Sequence, residues 1–260
     1  FPTTVYKYRA TNDRWHWTIL SEQVVYFAPP SSFEDKLDCK IPTRYDLLTD
    51  EEIYVMYYRT LREQHPQWDE LYLHQQVTIW CNKGLMKNIE LQKEWEAGYF
   101  KELDERLGVL CLTANCTNTD MWHKYSDHFD GFCVGFDPKV MFQFFGGGGL
   151  VDYVDEIPII KPSDSMEVKM ITSVYSKLKI WAFEQEYRTQ IFNYHPLKTD
   201  QRKRKVPKDA FKELIIGHNV SKNNSVNLIQ QATVINPNIR ILKTQLEDNM
   251  VNIVSYGNLT

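Results

Sequence analysis

Apolar residues recur in patterns typical of β-strands at both ends of this chain. Residues 5–9 alternate in character, and residues 23–27 are rich in β-branched and aromatic side chains. A continuous apolar run at 108–113 predicts a buried strand. Further short apolar runs at 132–136, 211–217 and 239–244 also predict strands, so sheet-forming segments frame the chain.

Helical spacing dominates the stretch between the first and second groups of strands. Thr49 and Glu52 fit a capping box, and the following apolar residues recur at intervals of three and four, at positions 53, 56, 57 and 61. Pro66 and Gly84 separate two further helices, over about 68–81 and 85–107. Because strands precede and follow it, we predict that residues 49–107 form a helical insertion within a single domain, 1–260.

The order of elements predicts the fold class. After residue 108 the predicted strands outnumber the helices that could cross between parallel strands. We therefore predict an α+β fold with a mixed or antiparallel sheet core, in preference to a doubly wound sheet. A chain of 260 residues is long enough to bury a substantial core.

Composition narrows the classes of partner. A net charge of −4 argues against broad nonspecific binding to nucleic acid or anionic membranes. The basic run at 202–205 is interpreted as a solvated loop, with a phosphate contact as the alternative. Five cysteines without a C-x-x-C pair predict reduced thiols. No segment has the roughly 18 consecutive apolar residues of a membrane span, and no signal-like start is present, so a cytoplasmic location is expected.

Charged groups lie among aromatic rings at residues 181–188, whose sequence is Trp-Ala-Phe-Glu-Gln-Glu-Tyr-Arg. We predict a helix over 167–180 and a strand over about 184–192, which places Glu184, Glu186 and Arg188 on one strand face. A helical reading would set the two glutamates roughly 200° apart. Either way, the combination indicates a functional site or a buried ionic strut.

Two other groups of polar residues could hold a cation. A solvated or loop-capping role is favoured for Glu34, Asp35 and Asp38 in the loop at 31–38. A metal site could also be built from side chains near the end of a predicted helix: His123, Asp127, His128 and Asp130. No metal is predicted there, because the helix ends near Asp127, no third ligand is assured, and paired cysteines suited to zinc are lacking.

Four segments in order resemble a bacterial family, domain of unknown function 2971. They are residues 5–9, residues 25–35, residues 121–127 with Gly131, and residues 181–188. One departure is Glu34-Asp35-Lys36, where that family typically has Asn-Asp-Pro. The family carries no established activity.

A weaker resemblance is to ADP-ribosyltransferases, which carry a basic or histidine residue on a first strand, a central Ser or Tyr, and a late Glu inside a Glu/Gln-x-Glu pair. Here the corresponding residues are Arg9, Tyr125 or Ser126, and Glu184-Gln185-Glu186. The resemblance implies an ADP-ribosyltransferase-like fold that uses NAD as its substrate.

The same resemblance implies a role for each residue. Glu186 would stabilise the oxocarbenium-like charge that develops when the nicotinamide–ribose bond breaks. Arg9 would hold the pyrophosphate or ribose through its planar donor fork. Tyr125 or Trp122 would stack on the nicotinamide, and Glu184 would orient or deprotonate a protein or nucleic-acid acceptor.

The expected function is thus that of an NAD-dependent ADP-ribosyltransferase-like protein, of the kind found among bacterial toxins and phage-defence components. Two alternatives stay open. One is a non-catalytic module whose aromatic-lined cleft binds a nucleotide or a protein. The other is a metal-dependent nuclease or hydrolase that uses Asp127, His123 and Glu184.

Overall fold

A computed structural model describes residues 2–248 and 250–257 of the chain. In this part the strands are β1 (Val5–Ala10), β2 (Val24–Tyr26), β3 (Leu107–Thr113), β4 (Gly131–Phe136), β5 (Gly149–Leu150), β6 (Asp152–Val154), β7 (Ser176–Leu178), β8 (Glu186–Phe192), β9 (Lys203–Lys205), β10 (Phe211–Ile216), β11 (Arg240–Glu247) and β12 (Met250–Ser255).

The α-helices of the same residues are α1 (Thr18–Ser21), α2 (Asp50–Gln64), α3 (Glu70–Asn82), α4 (Ile89–Arg106), α5 (Thr119–Tyr125), α6 (Pro138–Phe144), α7 (Met166–Tyr175), α8 (Thr199–Arg202) and α9 (Lys222–Ile235). Short 3-10 helices connect several of them, and the one over Lys179–Glu184 matters most for the site. No helix in the described ranges has both the length and the apolar character needed to cross a membrane.

The main sheet has eight strands in the order β12-β11-β10-β4-β1-β3-β8-β5. Its neighbours are antiparallel except β10 and β11, which are parallel. Two-stranded sheets form from β2 with β9 and from β6 with β7. The prediction of an α+β fold with a mixed sheet is therefore confirmed.

Helices cover both faces of the main sheet because its central strands β1, β4 and β10 present apolar side chains on both sides. On one face, side chains of β1, β4 and β10 pack against α1, α6 and α9 in the largest buried cluster. On the other face, Tyr8 and Cys133 contact Trp122 of α5. Burial on both faces explains why all six residues of β4 are inaccessible to solvent.

The predicted helices between residues 49 and 107 are confirmed as α2, α3 and α4. Thr49 and Glu52 form the predicted capping box, in which the Thr49 side chain accepts from the Glu52 backbone N–H at 3.1 Å. Helices α2 and α3 share a small core of their own. Residues 1, 249 and 258–260, which the predicted single domain includes, lie outside the described residues.

The chain between α7 and β8 differs from the predicted single helix over 167–180. Helix α7 ends at Tyr175, and β7 follows immediately and pairs in parallel with β6. The helical periodicity of this segment does not reveal that change, because β6, the strand with which β7 pairs, lies at residues 152–154. Strand β12 also lies beyond the last predicted strand and pairs with β11.

The sheet opens between β1 and β3. These strands are paired only at Tyr6 and Thr113. Farther along, Ala28 exchanges two backbone hydrogen bonds of 2.9 Å with Val109 of β3. The Lys7 ammonium donates to the Cys111 carbonyl at 2.8 Å. The Lys7 side chain and the backbone of Ala28 thus take the hydrogen bonds that β1 does not make to β3.

The basic run at 202–205 is not a solvated loop. Arg202 is buried, and its guanidinium donates to the carbonyls of Leu107 at 2.7 Å, Asp104 at 2.6 Å and Glu105 at 3.2 Å. Residues 203–205 form β9. The loop interpretation was wrong because the backbone at the end of α4 supplies carbonyl acceptors that only folding brings close to Arg202.

We predict that Arg202→Met destabilises the protein by about 3 kcal/mol, because it leaves buried carbonyls without the donor they share. Guanidinium chloride denaturation measures the change. The matched control is Arg204→Met on the exposed side of β9, which should stay within about 0.5 kcal/mol of the wild type. Equal effects of the two substitutions would contradict the structural role of Arg202.

Candidate functional site

The two glutamates at 184 and 186 are separated by a left-handed residue. The 3-10 helix ends at Glu184, Gln185 has φ 43° and ψ 54°, and β8 begins at Glu186. The strand was predicted to include Glu184, and that boundary is wrong. A non-glycine residue in this conformation costs roughly 1–2 kcal/mol, so tertiary contacts must hold it. The turn directs both carboxylates toward one cavity.

That cavity, here called the carboxylate cavity, encloses about 280 Å³ where β1 and β3 separate. Its walls come from the adjacent strand ends, from the loop at 32–38, and from the segment at 177–186. Charged walls include Asp38, Glu184 and Glu186, and rings of Tyr125 and Trp181 flank them. Acidic groups and planar rings around one space are a suitable setting for a polar ligand that contains a ring.

Arg188 lies behind the cavity and is fully buried. Its guanidinium binds Asp38 through two hydrogen bonds of 2.6 and 2.8 Å, and it donates to Glu186 at 2.7 Å. It also donates to the Val174 carbonyl at 2.7 Å. This planar donor fork therefore fixes the relative positions of two carboxylates that are 148 residues apart in the chain (186 − 38 = 148).

Lys177 is the second cation behind the cavity. Its ammonium lies 2.6 Å from Glu184, 3.2 Å from Asp38 and 3.3 Å from Glu186. Burial by itself lowers the pKa of Lys177, but the three carboxylates outweigh it and raise the pKa above its ordinary value. Lys177 is therefore charged at neutral pH and holds the carboxylates together.

The Tyr125 hydroxyl is bound to the same group of acids. It donates to Glu184 at 2.8 Å, so one oxygen of Glu184 receives Tyr125 and the other receives Lys177. Burial and the nearby charge of Glu184 raise the pKa of Tyr125. The phenol therefore remains a neutral donor at the cavity wall.

Glu186 is held in its charged form. Burial raises the pKa of a carboxyl group, yet the charges of Arg188 and Lys177 outweigh burial and lower the pKa of Glu186 to about 2. Both cations bind the same oxygen, Oε2. The carboxylate thus presents a permanent negative charge at the cavity, although two buried cations compensate it.

Lys7 supplies a third cation from β1. Its ammonium bonds the Cys111 carbonyl, and burial, followed by the charge of Arg9, lowers the pKa of Lys7 to about 8. Lys7 adds a positive charge to a cavity whose walls also carry the carboxylates of Glu34 and Asp35. It is the one cation of β1 that lines this cavity.

The predicted site residues do not all line one cavity. Tyr125 lines the carboxylate cavity with the two glutamates. Trp122 and Ser126 are fully buried and bond inward, Trp122 to the Cys116 carbonyl at 2.8 Å and Ser126 to the Trp122 carbonyl at 2.5 Å. Arg9 lines a separate cavity. Helix periodicity and strand order could not distinguish an inward-packed residue from one at the cavity wall.

The residues of the metal hypothesis lie apart from the cavity acids. His123 Nδ1 is 2.8 Å from His128 Nδ1, and Asp127 accepts a hydrogen bond from the Asn12 side chain at 2.7 Å. Within the described ranges, no group of three or more His, Cys, Asp or Glu side chains is arranged to hold a metal ion. Of the three residues that the nuclease alternative would use, Glu184 lines the carboxylate cavity, whereas His123 and Asp127 do not.

Three important residues escaped the sequence analysis. Asp38 was interpreted as a solvated or loop-capping acid, and this is wrong, because it is buried against Arg188. Lys177 was assigned to the helix over 167–180, and Lys7 was placed in the strand over 5–9 without a role. The available signal was the burial expected for Arg188, which demands a carboxylate partner but does not identify it.

The chain matches no protein-family model, no curated protein and no solved structure. The resemblance to domain of unknown function 2971 and to ADP-ribosyltransferases therefore rests on the residues of the sequence and stays a prediction.

We predict that Glu186 makes stability depend on acid pH. Its pKa is lower in the folded chain, about 2, than the ordinary 4.5. Its contribution, about 3 kcal/mol, is complete above pH 4.5 and is lost as the pH falls toward 2. Denaturation with guanidinium chloride between pH 5 and pH 2.5 should show a shallower dependence for Glu186→Gln than for the wild type.

The control for this measurement is Glu34→Gln, which removes an exposed carboxylate paired with Lys124. Its pH dependence should follow that of the wild type. An unchanged pH dependence in Glu186→Gln would show that Arg188 and Lys177 do not lower the pKa of Glu186.

Proposed function

We propose that the carboxylate cavity binds NAD and that the chain transfers its ADP-ribose group to an acceptor. The observation that carries the proposal is a pair of buried carboxylates, Glu184 and Glu186, at one cavity wall, with Glu186 held ionised by Arg188 and Lys177. A fixed negative charge can stabilise the positive charge that develops on ribose as its bond to nicotinamide breaks.

Each group has a role in this transfer. The bonding electron pair leaves with nicotinamide, and Glu186 faces the electron-poor ribose carbon. The acceptor then forms a bond to that carbon and loses a proton to Glu184, which would have to exchange its hydrogen bond from Lys177 or Tyr125 for that proton. Tyr125, through its hydrogen bond, orients Glu184.

The remaining walls suit the two ends of the substrate. Tyr125 and Trp181 offer rings for the nicotinamide, in place of the fully buried Trp122. Lys7 replaces Arg9 as the β1 cation available to a phosphate in this cavity. A volume of about 280 Å³ is at the lower limit for enclosing a drug-sized ligand, so the cavity would enclose the nicotinamide ribose and leave the adenosine at its mouth.

A second candidate is a binding module without catalysis. It is supported by the sharing of one Glu186 oxygen between Arg188 and Lys177, an arrangement that also describes a buried ionic strut. In that case Glu186 would maintain the shape of the cavity, and the affinity for the ligand would come from contacts with other residues. Binding measured beside turnover separates the two candidates.

We predict that the wild type binds NAD and releases nicotinamide, with water as acceptor when no other is supplied. Glu186→Gln should lower the rate of release by about 100- to 1,000-fold, because an electrostatic contact made in the transition state is lost. Its dissociation constant for NAD should change by less than threefold. Isothermal titration and chromatographic detection of nicotinamide measure the two effects.

The control substitution is Glu167→Gln at the exposed start of α7, which should leave both quantities unchanged. NAD binding with no release by any variant would favour the binding module. An absence of NAD binding would remove the nucleotide from this cavity.

A second prediction concerns Lys7. Its pKa of about 8 means that the ammonium is charged at pH 7 and neutral at pH 9.5. If it contacts a phosphate, NAD affinity should fall about tenfold over this interval, because a charge-assisted hydrogen bond is lost. Lys7→Arg should stay charged and show a flat profile. Identical slopes for the two proteins would exclude Lys7 from phosphate binding.

The cellular setting remains a prediction. The reduced thiols and the composition favour the cytoplasm, and the bacterial resemblance favours a toxin or a phage-defence component. The acceptor would then be a protein or a nucleic acid.

A further inference from the structure

A second cavity lies around Arg9, and we call it the Arg9 cavity. It encloses about 350 Å³ between β1, the segment at 13–22, and the ribbon of β2 and β9. It shares no lining residue with the carboxylate cavity. The two spaces are neighbours along β1, since Lys7 lines one and Arg9 lines the other. What binds in one can therefore differ from what binds in the other.

Within the described residues Arg9 faces the cavity without an ion pair, although the carboxylates of Asp13 and Glu22 line the same space. In residues 2–248 and 250–257, its guanidinium makes one long hydrogen bond, 3.5 Å to the Tyr8 carbonyl, and no ion pair. Burial lowers the pKa of Arg9 to about 10, and Asp13 opposes that effect only in part. A charged, partly buried guanidinium without an anion is stabilised when an anionic ligand enters.

Lys203 and Tyr26 also line the Arg9 cavity and add a positive charge and an aromatic ring to it. Lys203 provides a second cation. Its ammonium lies 3.3 Å from the exposed carboxylate of Asp200 and 5.1 Å from the centre of the Trp15 ring, so a phosphate would share it with Asp200. Tyr26, paired across the ribbon with Lys203, exposes its ring. A phosphate between Arg9 and Lys203 would leave an attached planar group beside Tyr26, where aromatic rings stack on bases.

Two carboxylates also line the cavity, Asp13 and Glu22. Asp13 accepts from the Trp15 backbone N–H at 2.8 Å and is 3.7 Å from His16. These acids repel a second negative group, but they are good acceptors for hydroxyl groups. The walls therefore match a ligand with one phosphate, several hydroxyls and a flat ring.

We propose that the Arg9 cavity binds a nucleoside monophosphate unit, with its phosphate on Arg9 and Lys203, its ribose hydroxyls toward Asp13 and Glu22, and its base against Tyr26. The unit is either a free mononucleotide or the phosphorylated end of a single strand of nucleic acid. The proposal stands apart from NAD chemistry, because none of these residues lines the carboxylate cavity.

Isothermal titration of the full chain with adenosine 5′-monophosphate tests the proposal. We expect saturable binding below about 1 mM. Arg9→Gln should weaken it at least tenfold, as expected for loss of a hydrogen bond to a charged group. The matched control is Arg14→Gln, an exposed arginine stacked on Trp15, which does not line the cavity and should change affinity by less than twofold.

Two further titrations identify the ligand chemistry. Tyr26→Ala should weaken the mononucleotide at least fivefold but leave inorganic phosphate unaffected, because only the base contacts the ring. Equal affinity for inorganic phosphate and the mononucleotide in the wild type would overturn the nucleoside proposal. An oligonucleotide of about ten residues with a 5′-phosphate distinguishes the sources: tighter, Arg9-dependent binding of the strand identifies its end as the ligand, and weaker binding identifies the free nucleotide.

Glu186→Gln separates this site from the proposed transferase site. It should leave Arg9-dependent binding of the monophosphate unchanged, whatever its effect on NAD. A lack of binding by the wild type, or equal binding by Arg9→Gln, overturns the proposal.

Discussion

The buried guanidinium of Arg188 is the constraint on which the candidate site depends. Removing such a charge from water without partners would cost several kcal/mol, so the fold has to deliver acceptors to it. It receives Asp38, Glu186 and the Val174 carbonyl. These partners come from the loop before α2, the start of β8 and the last turn of α7, and Arg188 joins all three segments. Within the described ranges its Nε atom has no hydrogen-bond partner, so the two terminal nitrogens make all of these contacts.

The consequence is a cavity with prearranged charges. Lys177 can contact three carboxylates because β7 leaves the helix early, and the left-handed Gln185 brings Glu184 beside Glu186. Preorganised charge is useful in catalysis because it does not have to reorganise during the reaction. The same arrangement also stabilises the fold. A structural role and a chemical role are therefore compatible for Glu186, and they are distinguished by turnover rather than by position.

The opening between β1 and β3 explains why Lys7 and Arg9 line different cavities. A continuous ladder would have placed Lys7 and Arg9 beside paired backbone groups. Instead, Ala28 binds Val109 and Lys7 reaches Cys111, so each basic residue of β1 borders its own space. Residues two apart on a strand share a face. The alternation of side chains along a strand thus places Lys7 and Arg9 on the same face of β1. The segment that contains Ala28 crosses there, and the two side chains border different cavities.

The sequence by itself predicted the features that depend on residues close together in the chain. The capping box at Thr49, the helices between 49 and 107, most strands and the mixed-sheet class follow from side chains close together in sequence. The selection of Glu184 and Glu186 also rested on local sequence, in which charged groups lie among aromatic residues, whereas Tyr125 was named from the resemblance to ADP-ribosyltransferases. Only the tertiary structure could assign Asp38 to Arg188, send Trp122 and Ser126 inward, and separate Arg9 from the glutamates. A buried charge requires a partner, but long-range packing selects which of 34 acidic residues provides it.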